Sequence, residues 1–232
     1  MFEILTIDLD DTLWDAGPVL RRAEQAQFDW LAKYAPRVTQ RLNLQDMQVL
    51  RRRLMSEREE LRHDFTALRI AALRELLAAE GYDATLAVDA VEHFLDIRSQ
   101  VELFSDVAEN LDELKRRFRL VAITNGNADL ERAGLAEHFE LVLSPAVTGV
   151  AKPDPAMFAP VFERFSVGAD RIAHIGDDPY YDVEAAHRAN VASIWVDRTG
   201  REWPDEHRRP HARIESFHDL DDALTAAWSA TA

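Results

Sequence analysis

Residues 8 to 12 read Asp-Leu-Asp-Asp-Thr and follow directly on Phe2-Glu3-Ile4-Leu5-Thr6-Ile7, a short, largely apolar, β-prone run. Asp8 and Asp10, two residues apart at the end of a strand, can point the same way. Two converging carboxylates repel each other unless a proton or a cation is shared between them, and a hard divalent cation such as Mg2+ is suited to oxygen ligands of this kind. With Asp at ~6% of positions, D-x-D-x-T arises by chance in only a few per cent of chains this long. An Asp-rich turn that caps the next helix is the purely structural alternative.

Three more groups carry chemistry. Thr124-Asn125-Gly126 ends the apolar run Leu120-Val121-Ala122-Ile123 and offers a hydroxyl with backbone N–H groups that could hold a phosphate oxygen. Lys152 stands before Pro153-Asp154-Pro155, which restricts its direction and opens a helix. Gly176 is followed by Asp177, Asp178 and Asp182, further carboxylates for a cation. Singly, these also read as an ordinary turn, a surface lysine and a solvated acidic loop.

Such residues need a frame that gathers them. Apolar runs at 2–8, 120–124, 139–144, 172–176 and 192–197 read as strands, with helices between them at 105–118, 130–135, 155–165, 181–190 and 220–230. Between about 18 and 100 there is no such run, only apolar residues at helical spacing, as in Leu68, Ala71, Ala72, Leu76 and Ala79. The expected fold is α/β: a doubly wound, Rossmann-like parallel sheet formed by residues 1–14 and 98–232, with an all-helical cap inserted at 15–97. In such sheets the functional residues collect at the carboxyl ends of the strands, and all four groups fall there.

Composition narrows the classes. The 232 residues are 47% hydrophobic and 30% charged, as in a folded globular protein. No apolar run approaches the ~18 residues of a spanning helix, and no cysteine is present for disulfides or thiolate sites, so a cytoplasmic protein is expected. The 27 basic and 42 acidic residues give a net charge of -15, which disfavours nucleic acid as a partner. Residues 15 to 100 hold 13 basic and 14 acidic residues, so the cap is nearly neutral and the acid lies in what flanks it.

D-x-D-x-T, T-N-G, K-P and G-D-x4-D, in this order and with a helical insertion after the first, resemble the haloacid dehalogenase superfamily of phosphatases. The resemblance runs from Asp8 to Asp182. The Asp8-Leu9-Asp10-Asp11-Thr12-Leu13-Trp14-Asp15 start, the stretch from His63 through Asp64 and Thr66 to Arg69, Ala122-Ile123-Thr124-Asn125-Gly126-Asn127-Ala128 and His174-Ile175-Gly176-Asp177-Asp178 are similar to bacterial members that act on flavin mononucleotide and 5-amino-6-(5-phospho-D-ribitylamino)uracil. This implies Asp8 as nucleophile, Asp10 as general acid and base, and Lys152 as the positive charge of the catalytic set. It implies Mg2+ held by Asp8, Asp10 through its carbonyl, and Asp177, with Asp178 or Asp182 in support. Thr124 and the N–H groups of Asn125 and Gly126 would bind phosphate. By residue type, Trp14, Phe65 or Tyr180 could stack on a flat ring, with core packing an equal reading for Trp14 and Phe65, and His63 and Arg69 could border the cleft, with a surface salt bridge as the alternative for Arg69.

The implied partner is a small phosphorylated metabolite of riboflavin metabolism, bound by a monomer or homodimer. Other sugar or nucleotide phosphates remain open as substrates. So does a phosphomutase, since no residue decides whether the cap excludes water. Asp10 counts against a dehalogenase, which has no oxygen leaving group to protonate. Together with the cap it also counts against a phosphoacceptor signalling domain, and the full residue set counts against a silent binding protein.

Overall fold

A computed structural model describes residues 1–231. Six strands, β1 (Ile4–Ile7), β2 (Arg119–Ile123), β3 (Leu141–Leu143), β4 (Ile172–Gly176), β5 (Ala192–Val196) and β6 (Ala212–Ile214), form one sheet in the order β3-β2-β1-β4-β5-β6, and every pairing is parallel. Helices α1 (Ala16–Tyr34), α2 (Pro36–Arg41), α3 (Leu44–Glu57), α4 (Phe65–Ala79) and α5 (Leu86–Arg98) all lie between β1 and β2 in the chain. The others are α6 (Ser105–Arg117), α7 (Pro145–Thr148), α8 (Ala159–Phe165), α9 (Ala185–Arg188) and α10 (Leu220–Thr231).

All four residues of β1 are buried, which is why this strand is apolar without alternation: helices cover both faces of a parallel sheet. Ile4, Val121, Ile123, Leu143 and Ile172 pack with Val161 and Phe165 of α8 and Ala185 and Ala186 of α9. Ile7 pairs with Ala122 on one side and Ile175 on the other. The chain therefore leaves three adjacent strands side by side, at Asp8, Thr124 and Asp177. Strand order runs outward to β3 on one side of β1 and to β6 on the other, so β1 and β4 flank the switch point where crossovers diverge and a crevice opens at the carboxyl edge.

Close contacts group Met1–Asp15, Glu102–Gly126 and the chain from Leu135 onward as one compact unit, and Ala16–Val101 with Asn127–Gly134 as another. The helical unit has its own core, in which Leu31, Leu73, Leu77, Ala90 and Phe94 are buried together. Its helix starts follow from local chemistry. Asn43 accepts the Asp46 N–H while the Asp46 carboxylate accepts the Asn43 N–H, and Asp64 accepts the Ala67 N–H at 2.8 Å to open α4.

Several elements differ from the sequence reading. Residues 130–134 form turns and not a helix, with Gly134 at a φ of 71° that ends any helical run. The helix expected at 181–190 divides into a π-helical turn over Pro179–Glu184 and the short α9. Strand β6 was not expected, because Ala212–Ile214 is three residues long within a stretch rich in Arg, His and Pro.

Candidate active site

Asp8 continues the β1–β4 ladder by one bond, its N–H donating to the Ile175 carbonyl at 2.9 Å. Its side chain is buried, and Thr12 Oγ1 donates to Oδ2 at 3.3 Å, so the threonine of D-x-D-x-T orients the first aspartate. The chain then turns sharply. Asp11 takes a φ of 62°, a left-handed conformation that Asp tolerates better than most residues, and its N–H donates to the Trp14 carbonyl at 2.8 Å. That turn brings the Trp14 indole N–H to Asp10 Oδ1 at 2.9 Å. Trp14 is 1% exposed, so of its two readings core packing holds: the ring is buried and its polar edge bonds Asp10, which leaves no face for stacking.

Lys152 is fully buried, and its three ammonium protons are all engaged: Asp8 Oδ1 at 2.6 Å, Asp182 Oδ1 at 2.5 Å and the Ile123 carbonyl at 2.8 Å. Asn125 fixes the lysine's backbone from the end of β2, its Oδ1 accepting the Lys152 N–H at 2.8 Å and its Nδ2 donating to the Lys152 carbonyl at 2.9 Å. The Gly126 N–H donates to Thr124 Oγ1 at 2.9 Å. The Asn125 side chain thus clamps Lys152, which leaves the expected phosphate contact through the Asn125 backbone N–H untouched, while the Gly126 N–H closes a turn on Thr124.

Asp182 Oδ1 also accepts from His174 Nε2 at 3.2 Å, and its Oδ2 accepts the Asp178 N–H at 2.9 Å. Because the carboxylate can only accept, the proton of the neutral imidazole sits on Nε2, leaving Nδ1 to accept from Thr6 Oγ1 at 2.9 Å. His174 and Thr6 escaped sequence reasoning, although a histidine inside the apolar run of β4 was a signal. The Asp178 carboxylate caps the π-helical turn by accepting from Tyr180 and Tyr181 N–H at 2.8 and 2.7 Å, so its side chain is spent on backbone and not on the carboxylate cluster. A Cβ on Gly176 would fall inside the Asp182 carboxyl group. Gly176→Ala is therefore expected to destabilise the chain by about 1–3 kcal/mol through overpacking and to lower turnover by displacing Asp182 from Lys152; thermal melts and steady-state rates check both.

Carboxylate oxygens of Asp8, Asp177 and Asp182 lie within 4.8 Å of one another. Burial pushes Asp8 well above the usual carboxylate range despite the Lys152 charge, and burial with the nearby Asp182 and Asp11 charges pushes Asp177 up to about 7. Burial alone would raise Asp182, but Lys152 and His174 outweigh it and hold that group low. Burial likewise disfavours the charged lysine, yet Asp182 and Asp8 raise Lys152 above its ordinary value. Three carboxylates against one ammonium leave negative charge in excess, and the donors are hard oxygens, a set that fits a divalent cation. The Asp177 carbonyl accepts from Trp195 Nε1 and Arg201 Nη2, both at 2.7 Å, which fixes its backbone at the mouth of β4.

All these residues belong to the sheet unit; His63 and Arg69 belong to the helical unit. His63 is half-buried in the turn before α4. Arg69 is buried, donating to Gln27 Oε1 at 2.9 Å and Glu24 Oε1 at 2.7 Å, with its guanidinium 3.6 Å over the Phe94 ring. Burial and the adjacent Arg51 charge bring it down to about 10, still protonated at neutral pH. Its expected part as a substrate contact is corrected to a structural one, because its donors are engaged within the cap core.

Comparison with known proteins agrees with this geometry. The model of the haloacid dehalogenase-like hydrolases matches residues 2–190. The chain is 34% identical over 196 residues to 5-amino-6-(5-phospho-D-ribitylamino)uracil phosphatase YigB of Escherichia coli, covering 83% of this chain and 82% of that protein. It is 35% identical over 153 residues to a phosphoserine phosphatase of Thermus thermophilus, covering 63% and 61%. Among solved structures, one named 2-haloacid dehalogenase from Pseudomonas syringae superposes with a TM-score of 0.90 at 38% identity, covering 97% of this chain and 99% of that one. On the family match, the shared fold and these identities, the chain belongs to the haloacid dehalogenase-like hydrolase family.

Proposed function

We propose that this phosphatase hydrolyses a small phosphomonoester through an aspartyl-phosphate on Asp8, and that its substrate is flavin mononucleotide or 5-amino-6-(5-phospho-D-ribitylamino)uracil. The substrate reading is supported by the similarity to the Escherichia coli phosphatase over most of both chains. The reaction class rests above all on Asp10, two residues beyond Asp8 and held by the Trp14 indole.

Asp8, the Asp10 carbonyl and Asp177 would hold Mg2+, which when bound neutralises the clustered carboxylates and the phosphoryl oxygens. An Asp8 oxygen bonds to phosphorus as the ester P–O bond breaks, and Asp10 gives its proton to the departing alkoxide. Asp10 then takes a proton from water as the water oxygen bonds to phosphorus and the bond to Asp8 breaks, which frees phosphate and regenerates both groups. Lys152 holds a fixed positive charge against Asp8 throughout, and Asp182 with His174 keeps that ammonium in place. Asp178 shapes the turn that presents Asp177. Thr124 would contact the transferring oxygens.

A carbon–halogen bond releases halide, which needs no proton, so Asp10 has no task in a dehalogenase. The test is phosphate release with Mg2+ and with chelator, over flavin mononucleotide, the ribitylaminouracil phosphate, phosphoserine, sugar phosphates and an activated aryl phosphate, alongside halide release from 2-chloropropionate. Chelator is expected to abolish phosphate release, and the two flavin-related esters to lead in kcat/KM by tenfold or more. Asp10→Asn should lower kcat by roughly 100-fold to 10,000-fold on alkyl esters and far less on the aryl ester, whose leaving group needs no proton. Halide release, or equal losses on both esters, would refute this reading.

A further inference from the structure

Asp197 follows β5, its N–H donating to the Ile214 carbonyl at 2.8 Å, and its buried carboxylate accepts the Thr199 and Arg201 N–H groups at 3.3 and 3.1 Å. That turn presents Arg198, whose guanidinium is divided between two partners. Nε and Nη2 converge on the Thr12 carbonyl at 3.3 and 3.0 Å, while Nη1 meets both carboxylate oxygens of Asp106 in α6 at 3.1 Å. Asp106 is itself buried and fixed, accepting the Phe217 N–H at 2.7 Å and the Ser216 hydroxyl at 3.1 Å. The guanidinium carbon lies 4.0 Å from the centroid of the Phe104 ring, and the Phe104 N–H donates to the Leu13 carbonyl at 3.0 Å. Two successive carbonyls of the loop after β1, those of Thr12 and Leu13, are thus gripped from one cluster within the sheet unit.

We propose that Arg198 is a positioning residue for proton transfer: it fixes the turn that sets the Trp14 indole on Asp10. The inference rests on the reading of Asp10 as the acid. Asp8 has two anchors that bypass Arg198, the Ile175 carbonyl for its N–H and Lys152 for its carboxylate at 2.6 Å; the Thr12 hydroxyl adds only a longer bond of 3.3 Å. Asp10 stands inside the turn, and its Oδ1 meets the indole two residues beyond the gripped Thr12 carbonyl. Loss of Arg198 therefore displaces the acid more than the nucleophile. A planar fork is needed, because a carbonyl and a carboxylate are held at once; the single ammonium of a lysine cannot span both.

The experiment compares Arg198→Met, Arg198→Lys and Asp10→Asn with the wild type on flavin mononucleotide and on p-nitrophenyl phosphate. Arg198→Met keeps an unbranched stem against Phe104, and Arg198→Lys also keeps a charge for Asp106, so the pair guards against loss of the fold, which thermal melts check. Both are expected to lower kcat on the alkyl ester by roughly 100-fold, as for an ångström of misplacement, and on the aryl ester by about threefold or less, with little change in KM. A purely structural role would lower both rates together. The second readout is the indole N–H resonance of Trp14 in chains labelled with 15N-tryptophan, identified by its absence in Trp14→Phe. It should shift and exchange faster with water in both Arg198 variants. An unmoved resonance in folded variants would overturn the inference whatever the rates, as would equal losses on the two esters where Asp10→Asn discriminates between them. If Asp10→Asn itself does not discriminate, the acid reading falls, while a moved indole resonance still supports Arg198 as the residue that holds the turn.

Discussion

Asp8→Asn is expected to lower kcat by on the order of ten-thousand-fold or more on every phosphoester, activated or not, because an amide cannot form the covalent bond and no neighbouring group can replace it. The fold should not suffer. Burial pushes the Asp8 pKa upward, so the folded chain disfavours its ionised form. A carboxyl whose folded pKa is raised loses stability as pH climbs above its unfolded value, and the amide removes that loss. At neutral pH without Mg2+ the variant should therefore melt at or above the wild-type temperature, with Lys152 still paired to Asp182. Added Mg2+ should raise the wild-type melting temperature more than that of the variant, which lacks one of the proposed ligands. Melting curves with and without Mg2+, read beside steady-state rates, check all three. A variant that is inactive because it has unfolded would contradict the picture of Asp8 as a costly functional group in a self-sufficient frame.

Lys152→Met should act in the opposite sense on stability. The ammonium bonds two buried carboxylates, and removing it leaves Asp8 without its positive partner and Asp182 with only the His174 and Asp178 N–H bonds. Breaking a buried pair in this way costs about 3–5 kcal/mol, and roughly 2–4 °C per kcal/mol for a chain of this size gives a fall near 10 °C. Turnover should drop by at least about 100-fold with the loss of the fixed positive charge. The double variant Lys152→Met with Asp182→Asn removes one of the stranded charges, so it should recover part of the lost stability while staying inactive. Lys152→Arg should also remain inactive, since a planar fork cannot reproduce three bonds that converge on a point charge. A Lys152→Met protein with wild-type melting behaviour would show that the ion triad contributes nothing to the fold.

The sequence made the sheet legible because strands covered on both faces are largely apolar and do not alternate, as in Ile4–Ile7 and Ile172–Gly176, where Thr6 and His174 are the polar residues. The carboxyl ends of those runs were legible too, with Asp8, Asp10 and Asp177 standing there, while Lys152, which follows α7, was marked by its place before Pro153. What escaped were roles set by tertiary contact. Trp14 reads equally as a stacking ring or as core from its neighbours in the chain, and the left-handed turn at Asp11 decides for core by folding it inward onto Asp10. Asn125 reads only as a backbone donor, and its side-chain amide, which spans 27 residues to clamp Lys152, goes unseen. His174 meets Asp182 only because the π-helical turn after β4 returns the chain over the end of that strand. Arg69 lies on the buried side of α4, and no local periodicity says that Glu24 and Gln27 will meet it there. Strand β6 is short and polar, and its pairing to β5 at Ile194, Trp195 and Val196 is decided by the sheet edge it completes.

The covalent intermediate is the point on which the catalytic reading stands or falls. The chain is mixed with excess flavin mononucleotide and Mg2+, quenched in acid within the first turnovers, and digested for mass spectrometry of the peptide that contains Asp8. One phosphoryl group on Asp8, absent with chelator, absent in Asp8→Asn and accumulating in Asp10→Asn when the activated aryl phosphate, whose leaving group needs no proton, replaces flavin mononucleotide, is the expected result. Metal-dependent phosphate release with no acid-stable phosphoryl group on Asp8 in either the wild type or Asp10→Asn would contradict it and point to direct attack by water.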